Sequence, residues 1–275
     1  MANGETRLDA YLVETGRVSG RERAKELIKA GAVTVNGRPV VKAATKVTAN
    51  DTVECDTSSL RFVSRGGLKL EKALLMSDIP VTGLTALDVG ASTGGFTDCL
   101  LKAGASRVYA VDVGTDQLHP TLRQDPRVVS LEGTDIRSEA VSLHIPDHTV
   151  DLCAIDVSFI SLRLILPAVR RFLKPGATIL CLIKPQFEAG RQAVGKRGVV
   201  RDRRVHQTVL TSLCEFFAEQ SLSVKEMDFS PVTGGEGNIE FLAVLVYSDT
   251  NVAPTAISVR ELVDRAHQQL KPESR

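Results

Sequence analysis

The sequence predicts an α/β fold, in which a small α+β unit precedes a larger domain built on a mostly parallel sheet. Three features of the chain predict it. Short elements separated by turn residues occupy the chain up to about residue 55. Apolar runs typical of strands then alternate with helical segments, as in a parallel sheet with crossover helices. The last two runs, 223–229 and 239–247, lie too close together for a helical crossover, so the final strand is expected to be antiparallel.

The first unit is predicted to contain two helices and a hairpin. Apolar residues over 8–13 have helical spacing, and a second helix is expected over 21–30, ending at Gly31. The turn pair Asn36-Gly37 predicts a β-hairpin. The strands of this unit are expected over 33–35, 40–41 and 52–54. A unit of this kind is close to the size at which folding alone is marginal.

The larger domain is predicted to start after a short linker. Residues 60–65 lack strong periodicity and are interpreted as a linker between a first domain, 1–59, and a second, 66–275. The parallel strands of the second domain are expected over 86–89, 108–113, 128–131, 152–157 and 178–183. Ligands of such sheets bind at the carboxyl ends of the strands. That edge is therefore where functional residues are expected.

Composition narrows the class of protein. The chain has 275 residues, of which 43% are hydrophobic and 24% charged, and no apolar run approaches the ~18 residues that span a bilayer. The first residues lack the apolar core of a secretion signal, so we expect a cytoplasmic protein. The five cysteines form no C-x-x-C pair and the five histidines show no metal-ligand spacing. We therefore expect no disulfide framework and no metal.

Positive charge is unevenly distributed, although the net charge is only +1. Residues 1–50 hold nine Lys or Arg against five acids, and residues 163–204 hold eleven against two. Such a run is either a solvated face or a surface for nucleic acid. The charge count alone does not decide between the two.

The first unit resembles the RNA-binding domain named after ribosomal small-subunit protein S-four. The resemblance rests on the spacing of motifs at 7–9, 19–24, 27–28, 31–37 and 42. In that family the basic helix and the hairpin lie against RNA phosphates. The resemblance therefore implies these RNA contacts: Arg7, Arg21, Arg23, Lys25 and Lys29. The alternative is that these charges are solvated on a helix that packs against the larger domain.

A glycine-rich turn follows the first parallel strand. Gly90, Gly94 and Gly95 allow the backbone to turn tightly and a ligand to approach it. Asp112 ends the next strand, where a carboxylate can accept hydrogen bonds from ribose hydroxyls. A dinucleotide is the competing ligand, but Ser92 breaks the G-x-G-x-x-G pattern. Asp88 would also repel a pyrophosphate, and it suits a ligand that carries a positive amine.

This turn resembles the first motif of S-adenosylmethionine-dependent methyltransferases, which have a Rossmann-like sheet. The segment Thr134-Asp135-Ile136 stands where that family contacts adenine. The resemblance implies S-adenosylmethionine as cofactor and the following binding residues: Asp88, Gly90, Ser92, Thr93, Gly94, Gly95, Phe96, Asp112 and Asp135.

Polar residues also end the fourth and fifth predicted strands. Asp156 and Lys184 come directly after consecutive apolar runs, so both are expected at the rim of the cofactor pocket. A lysine at the end of a buried strand fits poorly with a purely structural role. These residues therefore become candidates for catalysis.

Taken together, the motifs resemble those of the TlyA-type ribosomal RNA 2′-O-methyltransferases, also catalogued as haemolysin A proteins, whose catalytic domain is FtsJ-like. The matching segments are 64–67, 88–97, 156–161 and 184–188. The resemblance implies a catalytic tetrad of Lys69, Asp156, Lys184 and Glu240. It also implies that the substrate is a cytidine 2′-hydroxyl of 16S or 23S ribosomal RNA, or both, within ribosomal subunits.

The chemistry of the reaction fits these residue types. A ribose hydroxyl is a weak nucleophile, so methyl transfer needs alignment and a way to remove the proton. Lys184 is the best candidate base, because burial and a second cation, Lys69, would lower its pKa from ~10.4. Asp156 and Glu240 oppose that shift and orient the lysines. Whether Lys184 removes the proton or stabilises the alkoxide as a cation stays open.

The basic stretch 163–204 brackets Lys184, and we therefore interpret it as a cleft that follows RNA. Arg65, Lys196 and Arg197 are further candidate RNA contacts. One alternative is a non-enzymatic RNA-binding or ribosome-assembly protein, and another is a membrane-active haemolysin. The C-terminal segment 258–270 has too few bulky apolar residues for strong insertion and is expected to pack on the domain or touch RNA.

Overall fold

The computed structural model describes residues 5–18, 20–29, 31–56, 61–195, 197–234, 237–248 and 257–270, with only the backbone described for Glu26 and Arg191. The chain divides into two compact units, Met1–Arg65 and Gly66–Arg275.

The first unit packs two helices against short strands. Its elements are β1 (Thr6–Arg7), α1 (Leu8–Glu14), α2 (Arg21–Lys29), β2 (Val33–Val35), β3 (Arg38–Pro39), β4 (Lys46–Val47) and β5 (Val53–Cys55). β1 pairs with β4, and β2 pairs with both β3 and β5. Leu8 and Leu12 of α1 and Leu27 and Ile28 of α2 are fully buried in its core. The apolar stripe of each helix thus holds this unit together.

The second hairpin strand lies two residues earlier than predicted. Asn36 and Gly37 both have positive φ, as a two-residue hairpin turn requires. Pairing therefore resumes at once, with Val35 opposite Arg38. The prediction of a strand over 40–41 is wrong, and Val41 is 63% exposed. The pair β1 and β4 was not predicted, because two residues per strand are too few for an alternating pattern.

The second unit is built on a seven-stranded sheet. Its elements are α3 (Gly66–Ser77), β6 (Thr85–Val89), α4 (Gly95–Lys102), β7 (Arg107–Val111), α5 (Pro120–Arg123), β8 (Val128–Leu131), β9 (Val150–Ile155), α6 (Leu162–Val169), β10 (Leu173–Ile183), α7 (Pro185–Glu188), α8 (Arg203–Glu219), β11 (Leu222–Phe229), β12 (Phe241–Tyr247) and α9 (Val259–Gln269). The strand order is β11-β12-β10-β9-β6-β7-β8.

The mixed character of the sheet confirms the predicted fold class. β10, β9, β6, β7 and β8 pair in parallel. β12 lies between β10 and β11 and is antiparallel to both, as its short connection to β11 requires. Cys153 and Cys181 are buried on neighbouring strands.

Two of the parallel strands end earlier than predicted at the functional edge. β7 ends at Val111 and β9 at Ile155, so Asp112 and Asp156 lie one residue beyond the sheet. β12 begins at Phe241, which leaves Glu240 one residue before it. Because they lie beyond the pleat, these carboxylates are not bound to the alternation of side chains between the two faces of the sheet.

Helix α9 packs on the second unit, which is one of the two expectations for the C-terminal segment. Leu262, Val263 and Ala266 are buried on its inner face. Among the described residues, no helix is both long enough and apolar enough to cross a bilayer.

Candidate functional site

A cavity of about 530 Å³ opens at the carboxyl ends of the parallel strands. This volume is within the range usual for small-molecule sites. The polar residues that line it include Ser92, Asp112, Gln117, Thr134, Asp135, Asp156 and Ser158. Its apolar wall includes Val89, Val111, Ile136, Val157 and Ile165. The cavity therefore joins predicted cofactor residues to one predicted catalytic residue.

The glycine turn forms one side of the cavity. Gly90 has φ +87°, and a Cβ built on it would lie 2.6 Å from the backbone oxygen of Asp156. A side chain cannot be accommodated there, because a real Cβ does not approach an oxygen so closely. Gly94, at the N-cap of α4, also has positive φ, and its Cβ would collide with Leu118 and Leu122. Both glycines are thus required by local geometry.

The carboxylate of Asp112 is held at the mouth of this turn. It accepts hydrogen bonds from the backbone N–H groups of Ser92 and Gly114, each at 2.7 Å. Each carboxylate oxygen keeps a second acceptor site. These two sites can accept ligand hydroxyls while the backbone fixes the group.

Asp88 lies beneath the turn, with none of its surface exposed, and it does not line the cavity. Its Oδ2 accepts a hydrogen bond from Thr97 Oγ1 at 2.6 Å, and its Oδ1 is buried without a hydrogen-bond partner. Burial, aided by the negative charges of Asp156 and Asp112, raises the pKa of Asp88 to about 7. An orphaned buried oxygen suits a nearby positive charge on a ligand.

The other predicted cofactor residues separate into two groups. Asp135 lines the cavity, but its carboxylate pairs with Arg137 at 2.5 Å, and this pair lowers the pKa of Asp135. The remaining residues, Thr93, Gly94, Gly95 and Phe96, do not line it. Phe96 is 4% exposed and belongs to the core, because it lies in α4 behind the turn.

Lys184 and Asp156 form an ion pair at the wall of the cavity. Lys184 Nζ lies 2.6 Å from Asp156 Oδ1 and donates a hydrogen bond to Ser158 Oγ at 2.9 Å. β9 and β10 are neighbours, so the residues that follow them meet at one edge. Asp156 and Ser158 line the cavity, which places the lysine amine directly beside it.

Lys69 and Glu240 form a second ion pair. Lys69 Nζ lies 2.6 Å from Glu240 Oε2, and the two residues are 9% and 2% exposed. Gly234 lies so close to this carboxylate that a Cβ built on it would collide with Oε1. From the sequence, Lys69 is expected to act as a second cation on Lys184. The structure instead gives each lysine its own carboxylate, so the predicted tetrad consists of two neutral pairs.

One exposed aromatic ring lies at the rim of the cavity and packs on a second, and the sequence predicts no role for either. Phe159 is 90% exposed, has φ +64° and lines the cavity. Its ring centroid lies 5.0 Å from that of Phe187. A strained, exposed aromatic residue at a cavity rim indicates a contact surface for a ligand. Phe159 and Phe187 lie in the same sequence motifs as Asp156 and Lys184, and this proximity is the sequence signal that could have identified them.

In the first unit, two predicted RNA contacts also hold the fold together. Arg7 and Arg21 both pair with the fully buried Asp9, at 2.9 and 3.0 Å. Their guanidinium groups, Arg7 first, lower the pKa of Asp9 to about 2. Both arginine side chains are about half exposed, so they can still meet an outside anion.

The remaining predicted contacts of this unit differ in their partners. Arg23 donates a hydrogen bond to the carbonyl oxygen of Phe62, and Lys25 pairs with Glu22. Lys29 is exposed at the last turn of α2. Arg65 is partly buried.

The basic stretch 163–204 does not form one surface, which corrects its interpretation as a single cleft. Arg171 and Lys174 pair with Asp147 and Asp151 at the amino end of β10, opposite the end that carries Lys184. Arg163 donates to Ser212 and stacks on a ring of the core. Arg197 and the following arginines at 201, 203 and 204 are exposed, whereas Lys196 lies outside the described residues. Because the 11-residue strand β10 separates Arg171 and Lys174 from Lys184, these charges cannot lie on the same edge of the sheet.

Within the described part of the chain, no group of three or more His, Cys, Asp or Glu residues is arranged to hold a metal ion.

Comparisons with known proteins match both units. An S4 domain model matches residues 6–53, and a model described as FtsJ-like methyltransferase matches residues 62–247. YqxC of Bacillus subtilis (strain 168), named as a candidate rRNA methyltransferase, is 46% identical over 98% of this chain and 97% of its own. The 16S/23S rRNA (cytidine-2′-O)-methyltransferase TlyA of Mycobacterium tuberculosis is 42% identical over 94% of this chain and 96% of its own. A solved structure named as a candidate hemolysin, from Streptococcus thermophilus, has TM-score 0.77 and 44% identity and covers 98% of both chains.

Proposed function

This chain belongs to the TlyA-type FtsJ-like methyltransferases, and from that membership we propose that it methylates the 2′-hydroxyl of a cytidine in ribosomal RNA, with S-adenosylmethionine as methyl donor. The observation that carries the proposal is the Lys184–Asp156 ion pair beside the cavity. It brings a proton-handling group next to a site that suits a nucleoside. Since the substrate is part of the ribosome, the cytoplasm is the proposed place of action.

The cavity fits S-adenosylmethionine by its chemistry. Asp112 offers two free acceptor sites to the ribose hydroxyls, and Gly90 lets the ligand approach the backbone. Val111, Ile136 and Ile165 supply apolar surface for an adenine ring. The buried orphan oxygen of Asp88 favours a positive charge nearby. When bound, the cofactor supplies an electrophilic methyl group on a sulfonium.

The two ion pairs provide the polar groups that the reaction needs. Asp156 and Ser158 hold the amine of Lys184 at the cavity wall, within reach of a hydroxyl placed there. Neutral Lys184 would take the proton from that hydroxyl, whereas its ammonium form would stabilise the developing alkoxide. Glu240 is more deeply buried than Asp156, with 2% against 19% of its side chain exposed, and we assign the Lys69–Glu240 pair to shaping the site.

Exposed aromatic surface at the rim fits an RNA substrate. Bases taken out of a stack are commonly held on aromatic side chains. Phe159, supported by Phe187, offers such a surface beside the Lys184–Asp156 pair. The first unit supplies cations that can contact phosphates, and we assign it to placement on the RNA rather than to chemistry.

Transfer of labelled methyl from S-adenosylmethionine to ribosomal RNA, measured beside a lysis assay, tests this function. The expected result is RNA methylation without lysis. A non-enzymatic RNA-binding protein would bind ribosomal RNA without transferring methyl, and a membrane-active haemolysin would lyse cells.

Removing the Asp112 carboxylate should weaken cofactor binding. Asp112→Ala abolishes the proposed hydrogen bonds to the ribose hydroxyls, each charge-assisted bond contributing about 1.5 to 3 kcal/mol, so the dissociation constant of S-adenosylmethionine should rise at least tenfold. Calorimetry measures it, and Asp116→Ala is the matched control because Asp116 is exposed nearby. An unchanged dissociation constant, or tight binding of a nicotinamide dinucleotide instead, would contradict the assignment.

The exposed cations of α2 should set RNA affinity without affecting the fold. In Lys25→Gln/Lys29→Gln, affinity for ribosomal subunits should fall, and the log-log salt slope should decrease by roughly 0.7 to 0.9 for each phosphate that the variant no longer neutralises. Binding titrations at several salt concentrations measure both quantities. Arg21→Ala, by contrast, should also lower thermal stability, because it removes a partner of buried Asp9. If the double variant binds RNA as tightly as the parent does, these lysines are solvated charges and do not contact RNA.

A further inference from the structure

Two loops meet beside the cavity, and each carries one member of an ion pair. The loop after β9 holds Asp156 and Ser158, and Lys184 follows β10 as the N-cap of α7. The loops touch where Lys184 meets Asp156 and where Phe187 meets Phe159. In each contact, the residue from the loop after β9 lines the cavity.

A third contact between the loops is made by Glu188, to which the proposed mechanism gives no role. Glu188 Oε2 accepts a hydrogen bond from Ser161 Oγ at 2.6 Å, and Oε1 accepts one from the backbone N–H of Leu162 at 2.8 Å. Ser161 is the N-cap of α6, and its Oγ also accepts from the N–H of Arg163 at 3.1 Å. One carboxylate therefore joins the end of α7 to the start of α6.

Partial burial of Glu188 favours this contact. Burial raises the pKa of Glu188, and the hydrogen bonds from Ser161 and Leu162 oppose that rise. A partly buried carboxylate oxygen that loses its donor stays partly desolvated without a hydrogen bond, which is costly. The carboxylate is therefore held firmly on both donors.

We infer that Glu188 is a positioning residue that sets the separation of Lys184 from Asp156 by clamping α7 to the start of α6. This inference rests on the proposed function. α7 is only four residues long, so its orientation depends on contacts at its two ends. Lys184 lies at one end and Glu188 at the other. Because a misplacement of about 1 Å can cost 10²-fold in rate, loosening the clamp should slow methyl transfer.

A matched pair of substitutions at Glu188 tests separately whether the length or the charge of its side chain matters. Glu188→Gln keeps the length of the side chain, so its amide oxygen can accept from Leu162 and its amide nitrogen can donate to Ser161. Glu188→Asp keeps the charge but is one methylene too short to reach both donors. Glu215, which is exposed on α8, supplies the control variants Glu215→Gln and Glu215→Asp.

The readout is the single-turnover rate of methyl transfer to ribosomal subunits, with the affinities for S-adenosylmethionine and RNA determined in parallel. We expect Glu188→Gln to stay within about threefold of the parent rate, with an unchanged pH profile. Glu188→Asp should be slower by roughly 10-fold to 100-fold with both affinities retained. Equal rates for the two variants, or a greater loss in Glu188→Gln, would overturn the inference.

A crystal structure of Glu188→Asp tests the clamp without reference to activity. We expect Lys184 Nζ and Asp156 Oδ1 to lie beyond the ~4 Å of an ion pair, whereas an unchanged pair would contradict the inference. If the parent transfers no methyl, the proposed function fails, yet this distance still decides whether Glu188 positions Lys184.

Discussion

Lys184→Ala should bind S-adenosylmethionine and ribosomal RNA nearly as the parent does, yet lose methyl transfer by about 10² to 10⁴. That loss is what positioned proton transfer usually contributes. The substitution leaves the glycine turn, Asp112 and the cations of the first unit in place. Single-turnover transfer to ribosomal subunits measures the rate, and binding titrations measure both affinities. A variant within a few-fold of the parent rate would remove Lys184 from the reaction.

Lys184→Arg distinguishes the two roles left to this residue. Arginine remains charged at all accessible pH values and cannot act as a base, but its N–H groups can stabilise an anion. If Lys184 stabilises the alkoxide as a cation, the arginine variant should keep part of the activity that the alanine variant lacks. If Lys184 removes the proton, both variants should be equally inactive.

Glu240→Ala should lower the free energy of unfolding by about 3 to 5 kcal/mol. The reason is that it leaves the buried ammonium of Lys69 without its partner. Chemical denaturation of the full chain measures this change. The double variant Lys69→Met/Glu240→Leu should recover most of that stability, since apolar side chains of similar volume often replace a buried pair without loss.

The double variant also separates stability from chemistry. We expect it to fold well while methyl transfer remains impaired, because the site loses both polar groups. If the double variant is no more stable than Glu240→Ala alone, the loss in free energy of unfolding comes mainly from packing and not from the unpaired charge.

The elements with strong periodicity could be predicted from sequence, whereas the pairing of charges could not. The apolar runs give the parallel strands and the short last connection gives antiparallel β12, since both follow from local spacing. Lys69 and Glu240 are 171 residues apart, and no local pattern indicates that they, rather than Lys69 and Asp156, form a pair.

The distribution of surface charge was the weakest part of the sequence interpretation. Arg7 and Arg21 follow an RNA-binding motif, yet both also hold Asp9, because a buried carboxylate needs cations around it. Similarly, Arg171 and Lys174 belong to the basic stretch by sequence but lie at the opposite end of β10 from Lys184. A charge count along the chain contains no information on which end of a strand a side chain occupies.

Identification of the methylated nucleoside tests the central claim most directly. Ribosomal subunits that lack the modification are incubated with S-adenosylmethionine and the full chain, and their RNA is then digested to nucleosides and analysed by mass spectrometry. We expect 2′-O-methylcytidine with the parent and, after the same short incubation, about 10² to 10⁴ times less of it with Lys184→Ala. A methyl group on a base, or in ribosomal protein rather than RNA, would contradict the assignment of this site to ribose 2′-hydroxyl methylation.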